Sequence, residues 1–346
     1  MKKVTALLLT LAMLFSLSVP AFATADNPAP VSKVVREGGY TFEVEETITP
    51  DYAVNRSYHN PNANARSIPS KEETFALLAA LGLSEDAILA FPEGTLQEIA
   101  VAEDMHVSVS YSKYNEETDV ITPLSEEQAL EEALIVNESQ NNYGDISVYA
   151  QSGNGYYADT YMQITHTAVH MGGGKYKYTA YARWLTMPYL RSRDSIGCCA
   201  SYCSFTPGSA SGYYSYTTVT TYNGSTTSQS SGRIDIPHTS TASLDIFTGY
   251  AGVFKLPVDM RGNPSEGEAD IVRKDLKAYF EYGGNVSTPG DQLTFNSCGS
   301  YYHSRLEVSA TPYINISRDE LSFSIGLDSL FNTEKRAAYL QVFYNP

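Results

Sequence analysis

The sequence predicts a mainly β protein, with an antiparallel β-sandwich or jelly-roll-like C-terminal domain preceded by a small α+β region. Three observations carry that expectation. Helix signals gather before residue 146, whereas strict two-residue alternation dominates after it. Of the 27 tyrosines, 21 lie beyond that point, among abundant Ser, Thr and Gly, a composition suited to pleated strands. Charge is also uneven: residues 26–145 hold 23 acidic and 6 basic side chains, a net of −17, and residues 146–346 hold 16 and 15, a net of −1. The expected division is 1–25 as a signal peptide, 26–145 as an acidic α+β region and 146–346 as a Tyr/Ser/Thr-rich β domain.

The first 25 residues read as a bacterial-style export signal. Lys2 and Lys3 precede an uncharged apolar run over 4–19, Pro20 breaks it, and Ala21-Phe22-Ala23 is a small-x-small cleavage pattern. The run is short for a bilayer-spanning helix. The expected location is outside the cell, secreted or at its surface.

In the acidic region, Ser70-Lys-Glu-Glu73 forms a capping box before TFALLAAL, with Gly82 placed to end the helix. Ser84 is expected to cap a second helix that Pro92 stops, and Thr95-Leu-Gln-Glu98 repeats the box before IAVA. Ser125-Glu-Glu-Gln128 opens a fourth helix, with Leu130, Leu134 and Ile135 forming its apolar side. TFEVEETI at 41–48 and HVSVSYSKY at 106–114 alternate as strands, and the polar run 52–69 reads as a loop. The charges on this region are expected to form a solvated face. A removable pro-region is a second reading of 26–145. Strong negative charge repels phosphate backbones, so nucleic acid is not an expected partner.

In the β domain, HTAVH at 166–170 has the spacing of a helical metal site. The even positions of 158–171 are mostly apolar, however, and Gly172-Gly173-Gly174 supplies a hairpin turn. Pairing 171 with 175 makes partner numbers sum to 346, which sets Met162 against Trp184, Ile164 against Ala182 and His170 against Tyr176. The even face of both strands is then core, and the odd face, with Lys175, Lys177 and Arg183, meets water. On one strand the two histidines lie ~13 Å apart and cannot share an ion. The expectation is a hydrogen-bonded core for His166, a rim position for His170, and no metal. IVRKDLKAYFEY at 271–282 is ambiguous between helix and strand, and a strand is favoured.

All four cysteines fall in this half, at 198, 199, 203 and 298. Export permits disulfides. A straight strand over 196–205 keeps Cys199 and Cys203 beyond bonding reach, so one bridge, Cys199 to Cys298, is expected.

Residues 206–243 form the most unusual segment. Asn223-Gly224 signals a hairpin turn, and Tyr214, Tyr216 and Tyr222 share one face of the arm before it. A tyrosine ring with its hydroxyl suits sugars and proteins, so these three are the candidate binding residues for an extracellular glycan or protein ligand. The Ser/Thr-rich hairpin resembles, in composition alone, those of secreted aerolysin-like pore-forming toxins. STTSQSS at 225–231 has no apolar face, so membrane insertion is not expected.

HExxH, Walker A, GxGxxG and GxSxG patterns are absent, and no cofactor is implied. RSRD at 191–194 reads as a turn after Pro188 with a local ion pair. The leading function is a secreted, non-catalytic binding or surface-interaction protein. The alternatives are an exported hydrolase, with His238 or His303 set against a carboxylate, and a β-pore-forming protein.

Overall fold

The computed structural model describes residues 28–61, 63, 68–115, 117–142, 159–188, 191, 193–222, 225–236, 238–244, 247–260, 262–263, 266–288, 290–304, 313–317, 322–326 and 333–346. The export signal and the Asn223-Gly224 turn lie outside these residues.

The acidic region supplies β1 (Val31–Glu37), β2 (Tyr40–Ile48), β3 (Val54–His59), α1 (Lys71–Ala80), α2 (Glu85–Ala90), α3 (Glu93–Ala100), β4 (Asp104–Asn115), β5 (Val120–Leu124) and α4 (Glu126–Asn142). The remainder supplies β6 (Thr160–His170), β7 (Lys175–Trp184), β8 (Arg193–Ser201), β9 (Cys203–Phe205), β10 (Ser211–Tyr222) and β11 (Ser225–Asp235). It continues with β12 (His238–Leu244), β13 (Phe247–Lys255), β14 (Asp270–Val286), β15 (Leu293–Ser304), β16 (Tyr313–Ser317), β17 (Ser322–Gly326) and β18 (Thr333–Tyr344).

A large sheet runs β1-β2-β3-β4-β6-β7-β14-β10-β11, with β5 beside β4 and β9 beside β14. A second sheet runs β12-β13-β8-β15-β18, and β16 pairs with β17. The protein is therefore mainly β and sandwich-like, as its alternation predicts. The β6–β7 register also agrees: Met162 faces Trp184, Ile164 faces Ala182 and His170 faces Tyr176. The ambiguous 271–282 segment lies within β14, where the register against β10 shifts between Ser215 and Thr217 and Asp275 takes φ +54°. That bulge moves the charges onto a different face part-way along, which blurs the two-residue period in the sequence.

The large sheet is buried on both sides. Even residues of β6 and β7 join the sandwich core with Phe280, Phe295, Tyr301 and Val342. Odd residues such as Tyr161, Val169 and Tyr181 join a separate core with the helices. The expected wet odd face is thus a second interior. Its cations meet helix acids: Lys177 pairs with Glu98, Arg183 with Asp86 at 3.3 Å, and Lys277 with Asp86 at 2.6 Å. These acids face the sheet rather than forming a purely solvated surface. The boundary at 145 does not divide the sheet either, because β4 pairs with β6 from Asp104↔His170 to Tyr114↔Thr160.

Helix starts follow their caps where the cap is free to act. Ser70 Oγ accepts from Glu73 N, Ser84 Oγ accepts from Ala87 N, and Ser125 and Gln128 cap each other. Gly82 ends α1 in the left-handed region at φ +85°. Thr95 does not start a helix: α3 begins at Glu93 behind Pro92, and the buried Thr95 hydroxyl instead donates to Glu281 at 2.6 Å. On α4, Ala129 and Ala133 form the buried seam, while Leu130, Leu134 and Ile135 are exposed. The small alanines let the helix lie close enough for Glu126 and Glu132 to accept from Tyr111 and Tyr161. Within the expected 52–69 loop, VNRSYH forms β3, held between the ladders of β2 and β4. Its polar alternation lacks the apolar face that marks a strand in sequence.

Candidate functional site

The three predicted tyrosines lie along β10, which pairs with β14 on one side and β11 on the other. They leave the core by steps. Tyr214 is half-buried and stacks on Phe254, with ring centroids 4.8 Å apart. Tyr216 stacks on Tyr214, and the Arg273 guanidinium lies 5.4 Å from its ring centre. Tyr222, at the far end of β10, is 38% exposed. The row is therefore one anchored ring, one shielded ring and one open ring, rather than three equal platforms. Beyond Lys277 the β14 strand parts from β7, so β10, β11 and the start of β14 form a three-stranded ribbon. All eleven residues of β11 are exposed.

A buried polar network occupies the sandwich; the sequence names His303 and the RSRD segment but does not join them. Asp194, His303 and Glu334 sit in one row across β8, β15 and β18. His303 Nδ1 lies 2.8 Å from Asp194 Oδ1, and Tyr301 OH also donates to Asp194. Trp184 Nε1 donates to Tyr301 OH at 3.2 Å. Arg336 pairs with Glu334, donates to Thr160 and stands over the Trp184 ring. Burial opposes charge on His303, but the Asp194 and Glu334 carboxylates outweigh it and raise its pKa above the ordinary value. Protonated, His303 balances Asp194 as Arg336 balances Glu334. Asp194 and His303 are 0% and 3% exposed. The expected local RSRD ion pair does not form in this way: Arg191 bonds Asp259 at 2.7 Å, and Asp194 turns inward. No short-range signal joins Asp194 to His303, because 109 residues separate them.

His166 is fully buried, with Nδ1 2.8 Å from Thr179 O and Nε2 2.9 Å from Ser297 Oγ. A donating Nδ1–H and an accepting Nε2 satisfy both partners, so the ring is neutral; burial lowers its pKa to about 4. His170 is buried rather than at a wet rim. It stacks on Tyr176 at 4.8 Å and shares Asp104 with His59. The reason is again the second sheet, which brings Tyr344 edge-on against the His170 ring.

The cysteines divide between the sheets. Cys199 lies directly across from Cys298 in the β8–β15 ladder, with sulfurs 3.1 Å apart and both side chains buried. The hydrogen bond with Cys298, followed by burial, pushes the Cys199 thiol up. Cys203 belongs to the other sheet, because the chain leaves β8 through Tyr202 at φ +52° and pairs β9 with β14. The straight strand assumed over 196–205 is therefore broken at Tyr202.

A cavity of ≈ 350 Å³ opens elsewhere, beside α1. Phe42, Tyr58, Leu77 and Val101 give it apolar walls, and Asn60 and Glu73 give it polar ones. Among the described residues no histidine lines it.

No family description matches the chain, and no curated protein matches it in sequence. Similar solved structures include the pilus backbone RrgB of Streptococcus pneumoniae, at 6% identity and TM-score 0.21 over 50% of this chain and 44% of that one. The chain spans less than half the length of that protein. A pore-forming protein is similar at 6% identity and TM-score 0.18, over 56% of this chain and 98% of that one. Clostridium perfringens delta-toxin is similar at 6% identity and TM-score 0.20, over 69% and 90%. Likeness at these TM-scores carries neither fold nor function to this chain.

Proposed function

We propose that the protein is an exported, non-catalytic binding or surface-interaction protein whose ligand, a glycan or another protein, meets the ribbon of β10, β11 and early β14. The observation that carries this reading is that every residue of β11 is exposed beside a tyrosine row that opens progressively to Tyr222. An aromatic ring held by its neighbours presents flat contact area at little entropic cost. Tyr216 and Tyr222 are the contacting rings, and Tyr214 anchors them against Phe254. In an exported chain the Cys199–Cys298 pair closes to a disulfide, losing two protons and two electrons to a thiol oxidant and tying β8 to β15. Glycan arrays and pull-downs from the native milieu, repeated with Tyr222→Ala and Tyr216→Ala, test the ligand surface. Binding lost in both variants with the fold intact supports it; binding that ignores both substitutions sinks it.

An exported hydrolase is a second reading, favoured by the Asp194–His303 pair. It requires that Asp194→Asn abolish turnover on ester and glycoside panels.

A further inference from the structure

Arg56, Arg183, Arg191 and Arg336 each hold a carboxylate: Glu46, Asp86, Asp259 and Glu334. Arg273 is half-buried, and among the described residues its guanidinium holds none. Its Nη1 donates to Thr218 Oγ1 at 2.8 Å, its charge lies 5.4 Å from the Tyr216 ring centre, and its Nε is enclosed without a hydrogen-bond partner. Asp259 accepts from the Arg273 backbone N at 2.6 Å, but its charge is matched by Arg191 Nη1 at 2.7 Å. A partly desolvated cation that meets only a hydroxyl and a π face lacks the charge-assisted bonds that offset burial. Thr218 and Arg273 are cross-strand partners, and Tyr216 and Tyr222 lie on the same face of β10 by its two-residue period. Opposite Tyr216 on β11 stands Gly232, and the space a side chain would fill there is open. A strand glycine at such a position leaves one side of the ring uncovered for a closely approaching ligand. Ser228 and Ser230 of β11, opposite Thr220 and Thr218, add hydroxyls beside it.

We propose that this face takes an acidic glycan, with a sugar carboxylate on the Arg273 guanidinium beside Tyr216 and a further sugar ring against Tyr222. The assignment rests on the ribbon being a ligand surface and names the class of ligand. A guanidinium fork matches a carboxylate in both shape and charge. Tyr222 stands four residues along β10 from Thr218, a span of ~13 Å, so the ligand is an oligosaccharide rather than a single sugar. The surroundings favour a glycan over an acidic protein. Ser225–Gly232 carries no aliphatic or aromatic side chain, whereas the centres of protein interfaces are apolar and poor in serine. The helix acids Asp86 and Glu98 lie on the other face of the large sheet, paired there with Arg183, Lys277 and Lys177. Charges farther away are screened beyond ~8 Å at physiological salt.

The test titrates the full exported chain with oligosaccharides ending in uronic or sialic acid, and with the same oligosaccharides after their carboxyl groups are reduced to alcohols. That comparison needs no variant. The wild type is expected to bind the carboxylates about tenfold or more tightly than the reduced forms. Arg273→Gln is expected to lower carboxylate affinity to the level of the reduced ligands and to leave theirs unchanged, with circular dichroism and thermal melting checking its fold. Equal affinity for the two ligand forms overturns the proposal, as does an acid preference that survives Arg273→Gln, or binding confined to sulfated glycans. Binding of a neutral glycan or a protein that is lost in Tyr222→Ala, with no preference for acid, sinks the acidic ligand and leaves the ribbon as a binding surface. Blank results with every glycan and with pull-downs from the native milieu sink both.

Discussion

The two faces of the large sheet are built differently. Toward the second sheet, β6, β7 and β14 present Ile164, Tyr178, Trp184, Phe280 and Tyr282, and the few charges there are enclosed in the Asp194–His303–Glu334–Arg336 network. Toward the helices, the same strands present Lys177, Arg183, Lys277 and Glu281, joined to helix groups by part-exposed ion pairs and a hydroxyl bond, and Thr167 and Thr179, whose hydroxyls bond each other. The first face is held by apolar burial, worth about 25 cal/mol per Å² removed from water. The second has an apolar core of its own, with Tyr161, Val169, Tyr181 and Tyr279 packed with Leu77, Ile88 and Phe91, and adds polar complementarity whose net gain per contact is small. A strand face that looks solvated in sequence can therefore be an interior, provided another part of the chain carries the matching charges.

The largest test of this comparison is removal of the acidic region. Residues 146–346 alone expose the full β4-facing edge of β6 and the cationic face that α2 and α3 cover. We expect no cooperative thermal unfolding from that fragment; a well-folded monomer by calorimetry would show that the helix face is dispensable. Next in size is Phe280→Ala, which empties a fully buried site on the sandwich face. It should cost ~3–5 kcal/mol in denaturant titration. His303→Gln comes close behind, at ~3–5 kcal/mol below neutral pH, because it leaves Asp194 buried without its cation. The pH dependence has a definite sign. The folded pKa of His303 is raised, so its stabilisation is complete below the unfolded value of ~6.5 and fades as pH rises through the folded value. Stability curves for wild type and variant should converge on the alkaline side of that window, and parallel curves would remove His303 as the titrating group. The smallest effect belongs to the helix face: Asp86→Ala breaks bonds to Arg183 and Lys277 with the carboxylate 32% exposed. Solvent screening limits the loss to ~1 kcal/mol or less. A larger loss there would erase the contrast between the faces.

Much of the local structure was legible because its cause is local. Ser70, Ser84 and Ser125 cap helices through atoms three residues away, and the Gly172–Gly174 turn fixes the whole β6–β7 register. The misreadings share a different cause. Thr95, the α4 leucines, β3 and the odd face of β7 were judged by their own neighbourhoods, but each is decided by a partner far along the chain. The cysteine pair lies between these cases: elimination pointed to Cys298, and the β8–β15 ladder is what sets it opposite Cys199.

The sequence by itself determined that this protein is mainly β, where its helices are capped, how its central hairpin registers, and that its charge divides unevenly. Backbone geometry and side-chain alternation act over a few residues, and one strand of text contains both partners. Only the tertiary structure decided that the acidic region shares a sheet with the rest, that both faces of that sheet are interior, and that Asp194 meets His303. Those outcomes depend on which surfaces find one another across a hundred residues or more, and complementarity at that range is a property of the assembled layers.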